Sequence, residues 1–289
     1  MPVRTTGRVE EGFGWRMWER APAPPLAGLS GPYQGYWERT PAPLSRAEVP
    51  HTGVTLILSF GDPLSSLPHP AASRPERFTS FVAGLFDAPV VTEHAGRQHG
   101  IEVPLTPAGA FAVLGVPPGE YGNRIVPLDD LPWPPDLLER LAEAPGWEER
   151  FALLDRALAA RAAHGPRTSP EVARAVRLLT ASGGRTPVAE LARDTGWSRR
   201  HLTGRFREQT GMTPKAFARV VRFQRVLELL GSSPGTPLAE AAQRCGFYDQ
   251  AHLNRDFRAL AGCSPTAYLE RHPPDGAFPF VQDLAGAAP

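Results

Sequence analysis

Residues 188–217 read VAELARDTGWSRRHLTGRFREQTGMTPKAF, and residues 238–268 repeat the pattern as LAEAAQRCGFYDQAHLNRDFRALAGCSPTAY. At an offset of 50, the matching positions are Ala189, Glu190, Ala192, Gly196 and Trp197 in the first copy and Ala239, Glu240, Ala242, Gly246 and Phe247 in the second. After one inserted residue, the matches are His201, Leu202, Phe206, Arg207, Gly211, Pro214 and Phe217 with His252, Leu253, Phe257, Arg258, Gly262, Pro265 and Tyr268. Each copy is predicted to fold as a helix, a tight glycine turn and a second helix. That arrangement is a helix-turn-helix, whose second helix can enter the major groove of DNA.

Helix starts recur around the repeat. A side chain suited to helix capping is followed by proline at Ser169-Pro170, Thr186-Pro187, Thr213-Pro214, Thr236-Pro237 and Ser264-Pro265. Ser198 and Asp249 are expected to cap two further helices. The pattern predicts an all-α domain over 167–272, with helix-turn-helix units at about 187–209 and 237–260. A linker helix over 214–230 would span ~26 Å, enough to hold two recognition helices near one DNA turn (~34 Å) apart.

The repeat resembles the DNA-binding domain of the AraC/XylS family of transcriptional regulators over roughly 170–271. The second copy carries that family's signature of Ala, Gly-Phe, a helix with R-x-F-R and then G-x-S-P-x-x-Y. The resemblance implies sequence-specific binding to duplex DNA at a promoter or operator. The first half resembles the β-rich regulatory domain of some family members more distantly, through GYWERT, VPLTPAGAFAVLGVPP and PLDDL.

The outward faces of the two recognition helices follow from a rotation of about 100° per residue. Leu202 and Phe206 should pack inward in the first helix, as should Leu253, Phe257 and Leu260 in the second. The predicted DNA-binding residues are Arg199, Arg200, Thr203, Gly204, Arg207, Gln250, Ala251, Asn254, Arg255 and Arg258. Arg200 and Arg255 are the candidates for guanine, which arginine grips with two donors, while Arg207 and Arg258 lie further along and suit phosphates. A solvated arginine without a base contact is the alternative at each position.

Gly204 departs from the family pattern, which usually has a polar and often basic side chain there. Glycine inside a helix costs about 1 kcal/mol relative to alanine. Either the backbone approaches DNA closely at this point, or the first helix reads less sequence than the second.

Charge is divided unevenly along the chain. The net charge of +1 is the sum of −5 over 1–166, +8 over 167–272 and −2 over 273–289. A basic half of this kind suggests a polyanionic partner, although a solvated basic surface is the alternative. RNA is disfavoured because its deep major groove does not admit a helix.

The first half of the chain is predicted to be mostly β. GYWERT, VTLILSF, APVVTEH, HGIEVPL and GAFAVLGV are short apolar runs bounded by turn residues, which indicates a sheet or barrel over 1–135. Helical spacing over 136–166, broken at Pro145-Gly146, predicts a connector, and 273–289 is predicted to be a flexible tail. The fold class is therefore α+β with two domains: a β-rich regulatory domain, a helical connector and an all-α domain with two helix-turn-helix units.

The same half offers little catalytic chemistry. Residues 1–166 contain no cysteine, and neither a G-x-S-x-G nor a Walker sequence is present. His94, His99 and Glu102 suggest a metal site, and with it the alternative of a cupin-like metal-dependent enzyme fused to a DNA-binding module, but solvated loop histidines are the simpler interpretation. We therefore predict no enzymatic activity, no cofactor and no metal.

A role in regulation predicts partners other than DNA. Candidate aromatic residues for the lining of an effector pocket are Trp15, Trp18, Tyr33, Tyr36, Trp37, Phe60, Phe78, Phe81, Phe86 and Phe111, with a packed core as the alternative. RNA polymerase and an unidentified small-molecule effector are further candidate partners. Connector leucines without an obvious partner suggest a homodimer through 1–166. The longest apolar run is too short for a membrane span and no signal peptide is evident, so the sequence predicts a cytoplasmic protein without a membrane partner.

Overall fold

A computed structural model of the chain describes residues 2–10, 13–66, 74–271 and 282–283. The strands are β1 (Arg4–Glu10), β2 (Phe13–Arg20), β3 (Tyr33–Arg39), β4 (Leu44–Glu48), β5 (Val54–Ser59), β6 (Leu64–Ser66), β7 (Glu76–Phe78), β8 (Phe81–Ala83), β9 (Val90–His94), β10 (Arg97–Leu105), β11 (Ile125–Pro127) and β12 (Gln282–Asp283). The α-helices are α1 (Pro107–Leu114), α2 (Leu137–Glu143), α3 (Trp147–His164), α4 (Pro170–Ala181), α5 (Val188–Thr195), α6 (Arg199–Thr210), α7 (Pro214–Ser232), α8 (Leu238–Arg244), α9 (Gln250–Ala261) and α10 (Pro265–Arg271).

The strands form two antiparallel sheets. One has the order β1-β2-β3-β10-β5-β8-β11 and the other the order β12-β4-β9-β6-β7. Along β10 the side chains alternate, so that Ile101, Val103 and Leu105 are buried in the main core. Gln98 and Glu102, on the opposite face of the strand, point toward the space between the sheets. The β-rich first half and helical second half agree with the predicted fold class.

One predicted strand is wrong. GAFAVLGV does not extend the sheet, because Pro107–Leu114 forms α1. Thr106 caps this helix through the Gly109 N–H, and Gly115 ends it with φ of 80°. The helix is apolar on almost all sides because it is buried, so its sequence has the same unbroken hydrophobicity as a buried strand.

The connector packs within the chain. Leu137, Leu141, Phe151, Leu154 and Leu158 are buried in the same core as the sheet. Trp147 stacks on Trp18 of β2 with ring centroids 4.4 Å apart. These leucines pack against residues of their own chain, so they no longer indicate a dimer through the connector.

A buried polar cluster also ties α3 to the sheet. The carboxylate of Asp155 forms an ion pair with Arg20 and accepts a hydrogen bond from the Tyr33 hydroxyl at 2.9 Å. The backbone N–H of Ala23 donates to the same carboxylate at 2.9 Å. Because β2, β3 and α3 share this acceptor, the connector is fixed to the sheet.

The predicted helix starts are mostly, but not entirely, as expected. Ser198, Thr213 and Asp249 each accept a capping hydrogen bond from the backbone N–H three residues ahead. At Thr186-Pro187 and Thr236-Pro237 the proline itself is the cap residue, and the helix begins one residue later than predicted. The Pro187 carbonyl accepts from the N–H groups of Glu190 and Leu191, so the threonine hydroxyl has no capping role there.

Most of the predicted flexible tail, 273–289, lies outside the described residues; Gln282–Asp283 form β12, paired with β4. None of the helices in the described part of the chain is both long enough and apolar enough to cross a membrane.

Candidate nucleic-acid interface

The first helix-turn-helix unit consists of α5 and α6. Gly196 ends α5 in the left-handed region with φ of 71°, which suits glycine, and Ser198 caps α6 two residues later. Leu202 and Phe206 are fully buried, as the helical rotation predicts. His201 packs edge-on against Trp197, with ring centroids 4.6 Å apart. The shared pattern of the repeat therefore builds the turn and fixes the angle of the recognition helix.

The second unit, α8 and α9, repeats the arrangement. Gly246 has φ of 81°, Asp249 caps α9, and His252 packs edge-on against Phe247 at 5.3 Å. Since Asp249 occupies the capping position that Ser198 holds in the first unit, the inserted residue of the repeat is Tyr248. Tyr248 is 90% exposed. An aromatic hydroxyl thus stands beside the start of the second recognition helix, a residue that the sequence reasoning missed although the inserted position marks it.

The predicted DNA-binding residues lie on the solvent side of α6 and α9. Thr203 and Asn254 are half-buried, and the others are exposed: Arg199, Arg200, Gly204, Arg207, Gln250, Ala251, Arg255 and Arg258. Apart from its chain neighbours and the backbone of its own helix, a Cβ added at Gly204 would have no described atom within 4 Å. The glycine is therefore not required by packing within this chain.

The linker helix α7 joins the units over 19 residues, which corresponds to ~28 Å. Phe217, Val220, Val221, Phe223 and Val226 are buried along it. Phe217 meets Phe206 of the first recognition helix at 5.6 Å, and Phe223 meets Phe257 of the second at 5.0 Å. A single helix therefore supports both recognition helices from behind.

An ion cluster that the sequence reasoning missed fixes α9 to α7. Arg219 Nε lies 3.0 Å from Asp256 Oδ1, and Arg222 Nη2 lies 3.8 Å from Asp256 Oδ2. His252 Nε2 is 3.6 Å from the same oxygen, while its Nδ1 faces the Tyr248 N–H at 3.4 Å. The spacing of four residues between His252 and Asp256 was the available signal.

The first recognition helix is instead attached to the β-rich region. A methyl group added at Gly122 would lie 2.1 Å from the Gly211 carbonyl oxygen, and one added at Gly119 would lie 3.0 Å from the Glu208 Cα. Within the helical half, the buried side chain of Gln209 accepts a hydrogen bond from the N–H of Ser169, at the start of α4, at 2.7 Å. We call the contact of Gly119 and Gly122 with the end of α6 the glycine seam.

The residues considered for a metal site do not come together. His94 is buried beside Glu38, with Nε2 3.5 Å from the carboxylate. His99 packs edge-on against Phe60 and Trp147, whereas Glu102 faces the space between the sheets. Among the described residues no group of three or more His, Cys, Asp or Glu side chains is arranged to hold a metal ion.

Comparison with known proteins locates the similarity in the helical half. A family described as "Helix-turn-helix domain" matches residues 191–271. The HTH-type transcriptional activator RhaR of Pectobacterium atrosepticum is 34% identical over 121 residues, which is 39% of this chain and 42% of that protein. The probable transcriptional regulator LumQ of Photobacterium leiognathi is 33% identical over 81 residues, 28% of this chain and 32% of that protein. The chain thus spans less than half the length of these curated relatives.

A solved structure resembles a larger part of the chain. ToxT from Vibrio cholerae superimposes with a TM-score of 0.50 over 82% of this chain and 98% of that one, at 8% identity. At this identity the likeness concerns the fold alone, and it extends over both the β-rich and the helical regions.

Proposed function

We propose that this chain, whose residues 191–271 form an AraC-type helix-turn-helix domain, is a sequence-specific DNA-binding transcriptional regulator. It reads adjacent major-groove segments with α6 and α9, and its β-rich N-terminal region modulates that binding. The relatives that match are named as transcriptional regulators, which gives no support to the alternative of a cupin-like enzyme.

One observation carries the proposal. Two recognition helices are backed by the same linker helix, and each turns a face with exposed arginines to solvent. Duplex DNA offers negative charge continuously and base edges periodically, so it suits a surface made of two helices with exposed arginines. Other binding partners of the basic region would not require two recognition helices in this arrangement.

The arginines divide into two roles. Arg200 and Arg255 are the proposed base readers, since arginine can donate two hydrogen bonds to guanine. Arg207 and Arg258 are the proposed phosphate contacts, and Thr203 and Asn254 supply shorter polar groups. Arg199, Gln250 and Tyr248 flank the helix starts, where phosphate oxygens approach the N-terminal backbone N–H groups. At Gly204 and Ala251 the small side chain lets the backbone approach the DNA.

Selection of binding sites from random duplexes tests this proposal with the full chain. The wild type should enrich one bipartite site. Arg255→Ala should lose base preference at one position and about 1–3 kcal/mol of affinity for that site, with binding to random DNA nearly unchanged. Arg258→Ala should weaken all sequences about equally and lower the salt slope by about one ion. If the wild type enriches no sequence, the proposed function is wrong; an unchanged preference in Arg255→Ala would reject only the reading role.

A further inference from the structure

A cavity of about 250 Å³ lies between the two sheets. Its apolar lining is formed by Ile57, Leu64, Phe81, Phe86, Val90 and Ile125. Three carboxylates, Glu38, Glu48 and Glu102, and the guanidinium of Arg46 also line it. A mostly apolar pocket with a few convergent polar groups is the usual form of a small-molecule site.

The three carboxylates differ in how their charge is balanced. Glu38 forms an ion pair with Arg46 and lies 3.5 Å from His94 Nε2. Glu48 accepts a hydrogen bond from Thr92 Oγ1 at 3.3 Å, and Arg46 acts to lower its pKa. No described residue forms a hydrogen bond or ion pair with the carboxylate of Glu102, whose pKa responds to burial alone. The cavity therefore contains a carboxylate for which the described chain supplies no cation.

The pKa shifts of the groups that line the cavity agree with this difference in how their charges are balanced. Burial raises the pKa of Glu102 to about 7. Burial also raises the pKa of Glu48 to about 7, and repulsion from Glu102 contributes. Desolvation lowers the pKa of His51, another lining residue. Taking a carboxylate out of water is costly unless an opposite charge accompanies it.

We propose that this cavity binds a small molecule with a protonated amine or amidine on an apolar body, and that the carboxylate of Glu102 holds the cation. The apolar lining takes the body of the ligand. A neutral ligand of the same shape leaves Glu102 without a partner, and an anionic one adds repulsion. The consequence of binding for DNA rests on the function proposed above, whereas the binding itself does not.

The first connection from the cavity to the DNA-binding helices passes through the glycine seam. Gly84 lines the cavity, and a methyl group added there would lie 1.9 Å from the carbonyl oxygen of Tyr121. Gly122, the next residue, is in the seam with the end of α6. A ligand that moves this wall therefore acts on the first recognition helix.

Two further wall segments reach the helical half. Val90 lines the cavity, and the neighbouring Pro89 lies 3.6 Å from the position of a Cβ at Gly262, which ends α9. His51 also lines it, and the neighbouring Thr52 Oγ1 lies 3.1 Å from Gln224 Oε1 of α7. Both recognition helices and their linker thus contact segments that form the cavity.

Calorimetric titration of the full chain at pH 8 tests the ligand class. The cations are 2-phenylethylamine, tryptamine and benzamidine, and the matched probes are the neutral 2-phenylethanol and the anionic 3-phenylpropanoate. At least one of the amines or amidine should bind, and 2-phenylethanol and 3-phenylpropanoate should each bind at least tenfold more weakly than that cation. Failure of all three cations, or equal or tighter binding of the anion, overturns the proposal without any variant being needed.

Two variants locate the cation. Glu102→Gln keeps the shape of the side chain and should weaken the cation at least tenfold without weakening 2-phenylethanol. Glu93→Gln, in β9 of the other sheet and not lining the cavity, should bind like the wild type. Thermal melts of both variants confirm folding. Unchanged cation binding by a folded Glu102→Gln removes Glu102 from the site and overturns the proposal.

Measuring DNA affinity with and without the cation distinguishes a failure of this proposal from a failure of the proposed function. The saturating cation should change the affinity of the wild type for its selected DNA site at least threefold, and should not do so in Glu102→Gln. Cation binding without any change in DNA affinity overturns the connection through the wall segments but not the ligand class. A protein that selects no DNA site refutes the proposed function, while the titrations still decide the ligand.

Discussion

The two helix-turn-helix units share a sequence pattern but are attached to different parts of the molecule. The first is held at the end of its recognition helix by the glycine seam and by the Ser169–Gln209 hydrogen bond. The second is held along its recognition helix by the ion cluster of Asp256 with α7. The residue equivalent to Asp256 in the first unit is Arg205, which instead pairs with Glu208 at 2.7 Å. The repeat therefore produces two equivalent recognition helices. Residues that the two copies do not share, together with Gly119 and Gly122 outside the repeat, determine which helix packs more closely against the β-rich region.

The largest expected effect comes from adding a methyl group to the glycine seam. Gly122→Ala places a methyl group 2.1 Å from the Gly211 carbonyl oxygen, and the backbone of Gly122 itself is not in the left-handed region. Overpacking of this kind should lower the free energy of unfolding by about 1–3 kcal/mol. Urea denaturation measures the change. Base preference should weaken in the half of the DNA site read by α6 and persist in the half read by α9; equal loss in both halves would show that the attachments do not differ.

Arg200→Ala compares the two readers directly. It should cost about 1–3 kcal/mol on the preferred site, as expected for a bidentate contact to guanine. The relaxed position should lie about one helical turn from the position relaxed by Arg255→Ala, because the residues belong to different units. Site selection with both variants measures the displacement. Relaxation at one shared position would contradict the assignment of one DNA segment to each unit.

Asp256→Asn breaks the attachment of the second unit. The asparagine keeps the shape but leaves Arg219 and Arg222 without their shared counter-charge, which should cost about 1–2 kcal/mol of unfolding free energy. The control is Glu240→Gln, which removes an exposed pair with Arg244 and should cost less than ~0.5 kcal/mol. If the two variants lose the same stability, the Asp256 cluster has no special role.

The smallest expected effect comes from Gly204, a residue of the first recognition helix whose equivalent in the second helix is Arg255. Gly204→Ala adds a methyl group that meets no described atom within 4 Å outside its chain neighbours and the backbone of its own helix, so it should stabilise the protein by about 0.5–1 kcal/mol through helix propensity. If the backbone approaches DNA at this point, DNA affinity should fall despite the gain in stability. Denaturation and gel-shift measurements on the same sample distinguish the two effects, and affinity that is unchanged would mean that Gly204 does not face DNA.

The helical half was the more predictable part of the fold. Gly196 and Gly246 mark the turns, and Ser198 and Asp249 mark the helix starts, because local backbone chemistry sets both features. In the other half, α1 was predicted as a strand although Thr106-Pro107 and Gly115 carry the same start and stop signals. An apolar run eight residues long fits a buried strand and a buried helix equally well, and only the tertiary contacts of α1 decide between them.

The site was predictable only in part for a related reason. The outward faces of α6 and α9 follow from helical rotation, which is a local property. Asp256 meets Arg219 across 37 residues, and Gly122 meets Gly211 across a longer interval still. Nothing local to Gly122 distinguishes it from a glycine in an ordinary turn, so contacts of this kind appear only when the chain is folded.

The glycine seam also bears on how the molecule opens. Where backbones touch without intervening side chains, a small separation removes most of the contact at once, so the two sides tend to open together. Amide protons of α6 should then exchange with solvent in step with those of the neighbouring β-rich region, while amide protons of α9 follow α7. The cooperative units of local unfolding would therefore cut across the sequence repeat, with its two copies in different units.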